Sequence, residues 1–340
     1  MRLLDWLMPL RLIDMRIGIY SPNWIGDSVI ALTFVQSIRA FESDAEIFIV
    51  CKDWVTGVYQ EHPAIDGVLS FSSVQLSGLA NIYKMGLSLK KYNFDKFFTL
   101  TDSFRSAFIL WLSSAQKRYG YSTQFRSIFL TNVLKISKEN IHRSEKYFRL
   151  IQKNSMSPEY PQIHLSEKEF EWAQKEMKKL GFNKPIALFP FSVASNRTLP
   201  NEILKNWLKT TSDQYLVFGS ENDTMNAEKL MRKCKGVAIK SICGNYNLRR
   251  SIAMISACKY SLATDSGLGH ISTALGIPTV SFFGIGVESH TAPKGKNNVV
   301  IKHCSPCFGE SCTTQNKNRS CIKKISRSEI DFAVNSITNL

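Results

Sequence analysis

A chain of 340 residues with 44% hydrophobic and 11% aromatic side chains has apolar material for one large or two medium domains, which excludes a disordered chain. It holds no apolar run of about 18 residues, so no transmembrane helix is expected. Its net charge of +15 calls for an anionic partner, such as a phospholipid surface, a phosphorylated glycolipid, a nucleotide or a nucleic acid, without choosing among them.

Met1 to Met15 is partly apolar but contains Asp5, Arg11 and Asp14 and lacks a small-residue cleavage site. It does not read as a signal peptide. It is either a short amphipathic element lying on a membrane or a segment packed on its own domain. Arg16 to Tyr20 then reads as a strand, Pro22 to Asp27 as a turn, and Ser28 to Phe41 as a helix with Val29, Leu32, Val35 and Ile38 at helical spacing. In S-P-N-W-I-G-D-S-V, Gly26 permits a close backbone approach and Asp27 stands at or beside the helix start. A carboxylate there is either a helix N-cap or a general base facing a cleft. Further strands are expected at Glu46 to Cys51, Gly67 to Phe71 and Lys96 to Thr101, with helices between them. Residues 101–155 carry ten Lys and Arg against three Asp and Glu, so the positive charge is concentrated there.

The pattern restarts after the proline-bearing connector Pro158 to Pro161. A helix over Ser166 to Leu180 is followed by the strand Pro185 to Phe189, a Ser/Asn-rich loop and the helix Pro200 to Thr210. Strands at Tyr215 to Phe218, Val237 to Ser241, Tyr260 to Ala263 and Thr279 to Phe283 complete a second set. Two alternating halves predict an α/β chain of two Rossmann-like, doubly wound domains facing a central cleft, 1–157 and 158–340. Ligands of such sheets bind at the carboxyl ends of the strands.

The block Thr264 to Gly284, T-D-S-G-L-G-H-I-S-T-A-L-G-I-P-T-V-S-F-F-G, reads as strand, glycine turn, helix and strand. A helix opening on Ser266 and Gly267 offers free N–H groups and the positive end of its dipole to a phosphate. An ordinary strand-to-helix turn without a ligand fits the same spacing. Near the end, Cys304, Cys307, Cys312 and Cys321 form a C-x2-C-x4-C-x8-C pattern that suits a tetrahedral structural zinc or iron. Cys51, Cys234, Cys243 and Cys258 read as core.

With the Gly26-Asp27 loop and the Asp265 block in view, the chain resembles the ADP-heptose:lipopolysaccharide heptosyltransferases of glycosyltransferase family 9, heptosyltransferase II in type, over about Arg16 to Ile325. I-G-D-S-V-I-A-L, S-F-R-S-A, R-Y-G-Y-S-T-Q-F-R, F-G-S-E-N-D, T-D-S-G-L-G-H and C-S-P-C-F carry the likeness. It implies the GT-B fold, with an acceptor-binding first domain and a nucleotide-sugar-binding second one. It further implies inverting transfer of heptose from ADP-heptose to a sugar hydroxyl of the lipopolysaccharide inner core, with no cofactor required for transfer. Asp27 falls at the family's base position. Ser266 and Gly267 would hold the leaving diphosphate, with Ser192 and Arg197 from the loop after the first strand of the second domain. The family has Lys where this chain has Arg197. Asp223 matches an acidic ribose contact, although an N-cap on the helix Thr224 to Lys233 explains it as well. Asp265 would order the turn or meet donor hydroxyls, and His270 lies one turn into the helix. Arg105, Arg118 and Arg126 lie where the family meets its acceptor.

The resemblance also implies a cytoplasmic protein, peripheral on the anionic inner face of the inner membrane, with no nucleic-acid partner. One alternative is a member of the same family with another donor or acceptor, a protein or a different glycan. The other is a basic nucleic-acid-binding protein with a zinc module. It predicts aromatic side chains interleaved with the basic ones and leaves Asp27 and Asp265 without a task.

Overall fold

The computed structural model describes residues 15–137, 139–153, 160–193, 197–284, 286–303 and 320–338. The first half runs β1 (Arg16–Tyr20), α1 (Ile25–Phe41), β2 (Glu46–Lys52), α2 (Thr56–Tyr59), β3 (Gly67–Phe71), α3 (Leu79–Ser88), β4 (Lys96–Thr99), α4 (Phe104–Leu112), β5 (Lys117–Tyr121), β6 (Asn132–Leu134) and α5 (Arg143–Arg149). The second half runs α6 (Glu167–Lys179), β7 (Ile186–Phe189), α7 (Asn201–Leu208), β8 (Gln214–Val217), α8 (Thr224–Lys233), β9 (Ala238–Ser241), α9 (Leu248–Ser256), β10 (Ser261–Thr264), α10 (Gly267–Ala274), β11 (Thr279–Phe283), α11 (Glu288–Thr291), β12 (Asn298–Lys302), α12 (Ser320–Lys323) and α13 (Arg327–Thr338). The expected domain break at 157/158 falls within residues 154–159, outside the described residues.

Each half folds into one six-stranded sheet in which every described pairing is parallel. The orders are β3-β2-β1-β4-β5-β6 and β12-β11-β10-β7-β8-β9. The two orders are the same doubly wound topology. Short apolar runs make the central strands: β7, β10 and β11 are buried along their whole length, as strands covered by helices on both faces must be. In each sheet the winding reverses beside its first strand, between β1 and β4 and between β7 and β10. A crevice opens at the carboxyl ends of those strands. The loops that leave β1 and β10 carry Asp27 and Asp265.

One apolar cluster runs through both units. It joins Val29, Leu32 and Val35 of α1 to Ile252 of α9 and to Ile271 and Ala274 of α10. Each of these Val, Leu and Ile side chains contributes about 1.5–3 kcal/mol by leaving water. Buried Arg249 of α9 ties the units together. It donates to the Gly57 carbonyl at 3.1 Å, to both carboxylate oxygens of Glu169 at 2.7 and 2.8 Å, and to the His164 carbonyl at 2.8 Å. The capping box of Ser166 and Glu169 that starts α6 thus also anchors the interface. A separate cluster under α3 and α4, built on Phe94, Phe97 and Leu110, contains no residue of the second unit. Cys51, Cys234, Cys243 and Cys258 are buried free thiols, in keeping with their reading as core.

Candidate active site

Helix α1 begins three residues earlier than the spacing predicts, at Ile25. Trp24 is its N-cap residue and makes no side-chain cap. Asp27 therefore lies inside the first turn, so the N-cap alternative does not describe its place. Its Oδ1 accepts a short, charge-assisted hydrogen bond from Arg143 Nη1 at the start of α5. Burial works against the charge on Arg143, and the neighbouring Asp27 carboxylate raises its pKa in spite of that. Asp27 keeps 18% of its side chain exposed, enough to meet a substrate.

The turn from β10 into α10 stands against this loop. A Cβ on Gly267 would sit 2.7 Å from Ile25 Cβ and 3.2 Å from the Gly26 nitrogen. One on Gly26 would sit 3.0 Å from His270 Cδ2. Two glycines thus let the N-termini of α1 and α10 meet, which brings the two switch points together. Ser266 is the N-cap residue of α10, yet its hydroxyl caps nothing. Its Oγ is buried without a hydrogen-bond partner among the described residues. Asp265 is 6% exposed. Arg197 Nη1 lies 3.2 Å from its Oδ2, an ion-pair distance without hydrogen-bond alignment, so this oxygen too has no hydrogen-bond partner there. Burial raises the Asp265 pKa, Arg197 opposes the rise and Asp27 adds to it. Ser192 Oγ donates to the Asp265 carbonyl at 3.2 Å, linking the β7 loop to the turn. His270 is fully enclosed. Desolvation, with His142 and Arg143 close by, lowers its pKa to about 3, so the ring is neutral and packs between the units.

The three arginines expected at the acceptor end up in different surroundings. Arg105 is exposed on α4 and donates to the Leu76 carbonyl at 3.0 Å. Arg118 spends Nε on the Phe129 carbonyl and Nη1 on that of Ala115. Arg126 is 0% exposed. Its Nε and Nη1 donate to the carbonyls of Tyr121, Thr101 and Ser103, and its Nη2 lies 3.5 Å from Asp102 Oδ1 without hydrogen-bond alignment. A guanidinium so enclosed shapes the loop after β4 and cannot touch an acceptor without leaving its place. The open basic surface lies nearby. A cavity of about 230 Å³ beside the Asp27–Arg143 pair is lined by Lys135, Arg143, Lys146, Arg149 and His290, with Glu139 the one carboxylate among its lining residues. The sequence reading missed Arg143. The basic surplus over 101–155 was its signal, without the resolution to single it out.

Asp223 forms a capping box with Ser220, its Oδ2 accepting from the Ser220 nitrogen at 2.8 Å and hydroxyl at 2.7 Å. One carboxylate oxygen is thereby committed to the turn before α8. Cys304, Cys307 and Cys312 lie outside the described residues, as does the side chain of Cys321. Among the described residues no cluster of His, Cys, Asp and Glu could hold a metal, and no helix is long and apolar enough to cross a membrane.

Two doubly wound sheets of one order, meeting through the loops at their switch points, have the architecture of the GT-B fold. The family model for glycosyltransferase family 9 (heptosyltransferase) matches residues 82–318, and the chain belongs to that family. It is 24% identical to lipooligosaccharide heptosyltransferase 2 of Campylobacter jejuni, over 96% of this chain and 99% of the relative. It is 23% identical to lipopolysaccharide heptosyltransferase 2 of Escherichia coli, over 85% of this chain and 88% of that one. Among solved structures, the ADP-heptose lps heptosyltransferase II of E. coli superposes with a TM-score of 0.81 at 20% identity, covering 96% of this chain and 99% of that one.

Proposed function

We propose that the chain transfers a heptose from ADP-heptose to a sugar hydroxyl of the lipopolysaccharide inner core, with inversion, at the cytoplasmic face of the inner membrane. The observation that carries this reading is the turn at a helix N-terminus against the Asp27 loop, where Ser266 Oγ is buried without a hydrogen-bond partner among the described residues and Asp265 Oδ2 is held by the Arg197 ion pair. Buried polar atoms of native proteins are almost always satisfied, so a free hydroxyl at such a turn supports a ligand that supplies the partner.

In the proposed step, Asp27 takes the proton of the acceptor hydroxyl as its oxygen bonds to the anomeric carbon. Arg143 holds Oδ1 and fixes the direction of the carboxylate, leaving Oδ2 for the hydroxyl. The bond from the anomeric carbon to the diphosphate breaks on the opposite face, and its electron pair leaves with ADP. The N–H groups of Ser266 and Gly267, the α10 dipole and the fork of Arg197 receive the developing charge, with the Ser192 hydroxyl in reach of the same turn. Arg keeps the positive charge of the family's Lys and presents its donors as a planar fork. Asp265 is assigned to donor hydroxyls, and His270, neutral and packed, to the shape of the turn. Asp223 is assigned to the ribose through Oδ1.

The first unit, to about residue 157, is assigned to the acceptor and the second to the donor. The cavity lined by Lys135, Lys146 and Arg149 is assigned to the acidic groups of an inner-core glycolipid, which would replace the Asp102 and Glu139 carboxylates that pair with Lys146 and Arg149. The step requires no metal. A metal at Cys304, Cys307, Cys312 and Cys321 would brace a loop without entering the transfer.

Calorimetry with ADP-heptose, ADP and UDP tests the donor assignment. Binding of both adenine ligands and not of UDP is expected. Equal binding of UDP, or no binding of ADP-heptose, would overturn it.

A further inference from the structure

Of the fifteen large hydrophobic side chains exposed among the described residues, seven fall between Val74 and Ile128. That stretch forms the layer of α3, α4 and the turn at 125–129, which covers the cluster without residues of the second unit. Exposed Phe104 meets Phe129 edge-on at 5.1 Å. Phe129 in turn touches Phe108 at 5.2 Å and exposed Trp111 at 5.8 Å. Gln124 Oε1 accepts from the Phe104 nitrogen at 3.0 Å, which sets Phe125, 95% exposed, beside this aromatic group. Leu79 and Tyr83 project from α3, which packs along α4. Exposed apolar side chains gathered in one layer in this way mark an interaction site.

The charge around it is mostly positive. Lys84, Lys90, Lys91, Arg105 and Lys117 are exposed in the same layer. The stretch from Val74 to Ile128 has two carboxylates, Asp95 and Asp102. Asp95 accepts from the Arg16 nitrogen at 2.8 Å, and Asp102 pairs with Lys146 at 2.6 Å. The donors to Asp95 are neutral, so five exposed cations face one carboxylate of the stretch that no described cation pairs. Aromatic and aliphatic side chains ringed by Lys and Arg match the interface of an anionic bilayer, where rings settle at the headgroups and cations meet lipid phosphates.

We infer that this outer layer of the first unit is the surface by which the protein docks on an anionic lipid bilayer; the amphipathic alternative at Met1 to Met15 lies almost wholly outside the described residues. The inference gives a surface and a geometry to the membrane-face location proposed above and rests on that part of the reading. The docking itself is argued from the layer alone. Single-stranded nucleic acid fits the layer less well. The aliphatic Val74, Leu79 and Ile128 are among its most exposed side chains and offer no face to a base.

Flotation of the full chain with phosphatidylcholine vesicles, with and without phosphatidylglycerol, tests the inference. Binding only to the anionic vesicles, weakened by salt, is expected. Phe125→Ser with Ile128→Ser should lower it about tenfold or more through lost apolar burial. Lys84→Glu with Lys91→Glu should lower it further, while Trp6→Ser with Leu7→Ser leaves it unchanged. All three variants should keep ADP binding and transfer to a water-soluble acceptor. Full binding by the Phe125/Ile128 variant, loss only in the Trp6/Leu7 variant, or preference for oligonucleotides over vesicles would each overturn the assignment. Absence of transfer by the unmodified protein, with vesicle binding intact, would instead remove the proposed reaction and leave the docking surface standing.

Discussion

Asp265 sets stability against the donor-binding role proposed for it. Its folded carboxyl holds a proton more tightly than the ordinary value of 3.8, because burial penalises the charge. The contribution of this group therefore favours folding at pH below 3.8 and is lost as pH rises through the raised folded value. At pH 7 the native state carries a buried carboxylate that the unfolded chain exposes to water. Asp265→Asn is accordingly expected to raise stability at pH 7 by on the order of 1 kcal/mol and to change little at pH 3, read by thermal melts. The same substitution should weaken ADP-heptose binding. Residue types at this site were legible: Asp27, Asp265, Ser266 and Gly267 were identifiable from two short motifs. Their partners were not. Arg143 lies 116 positions from Asp27, and the enclosure of Arg126 depends on carbonyls that only the fold brings around it. Local spacing carries no trace of either.

At the scale of elements, the site depends on how closely α1 and α10 approach. Gly267→Ala would place a methyl against Ile25 and the backbone of Gly26, neither of which can swing aside as a flexible side-chain end would. Such overpacking costs about 1–3 kcal/mol. The expected outcome is a fall of about tenfold or more in kcat/KM with an unchanged far-UV circular dichroism spectrum. Wild-type kinetics in this variant would mean that contact between the two turns is not needed. The elements themselves were largely readable, since buried parallel strands are short apolar runs between helical patterns. β1, β3 and β11 have the bounds their residues suggest. β5 was missed because K-R-Y-G-Y is polar and broken by Gly120, and β6 because three residues leave no period to detect. β12, N-V-V-I-K, follows a lysine- and asparagine-rich loop that reads as continuing coil. Helix α1 begins early because Trp24 precedes it without a capping side chain, so no start signal marks Ile25.

At the scale of the whole molecule, three neutral histidines sit where the units meet. His62 lies edge-on to His164 with ring centres 4.9 Å apart. His142 Nδ1 accepts from the Ser144 nitrogen, so its Nε2 carries the proton and donates to the Ala292 carbonyl at 3.1 Å. His270 packs on Gly26. Burial lowers His62 and His142 to about 4 and His270 to about 3, from 6.5. Their contribution to stability is complete above pH 6.5 and is lost as pH falls toward the folded values, since only the unfolded rings take up protons there. Each contributes up to about 1.4 kcal/mol per pH unit in that window. Urea melts should therefore show stability dropping steeply from pH 6.5 to 4, and X-ray scattering should show the molecule widening before its helices melt. A flat profile over that range would mean the rings do not hold the units together. The central claim, that the paired switch points form a heptosyl transfer site, is tested most directly by single-turnover kinetics of Asp27→Asn with ADP-heptose and a truncated inner-core acceptor. Loss of about 10²–10⁴-fold in rate with unchanged ADP affinity is predicted. Transfer at the unmodified rate, or loss of ADP binding in step with the rate, would contradict it.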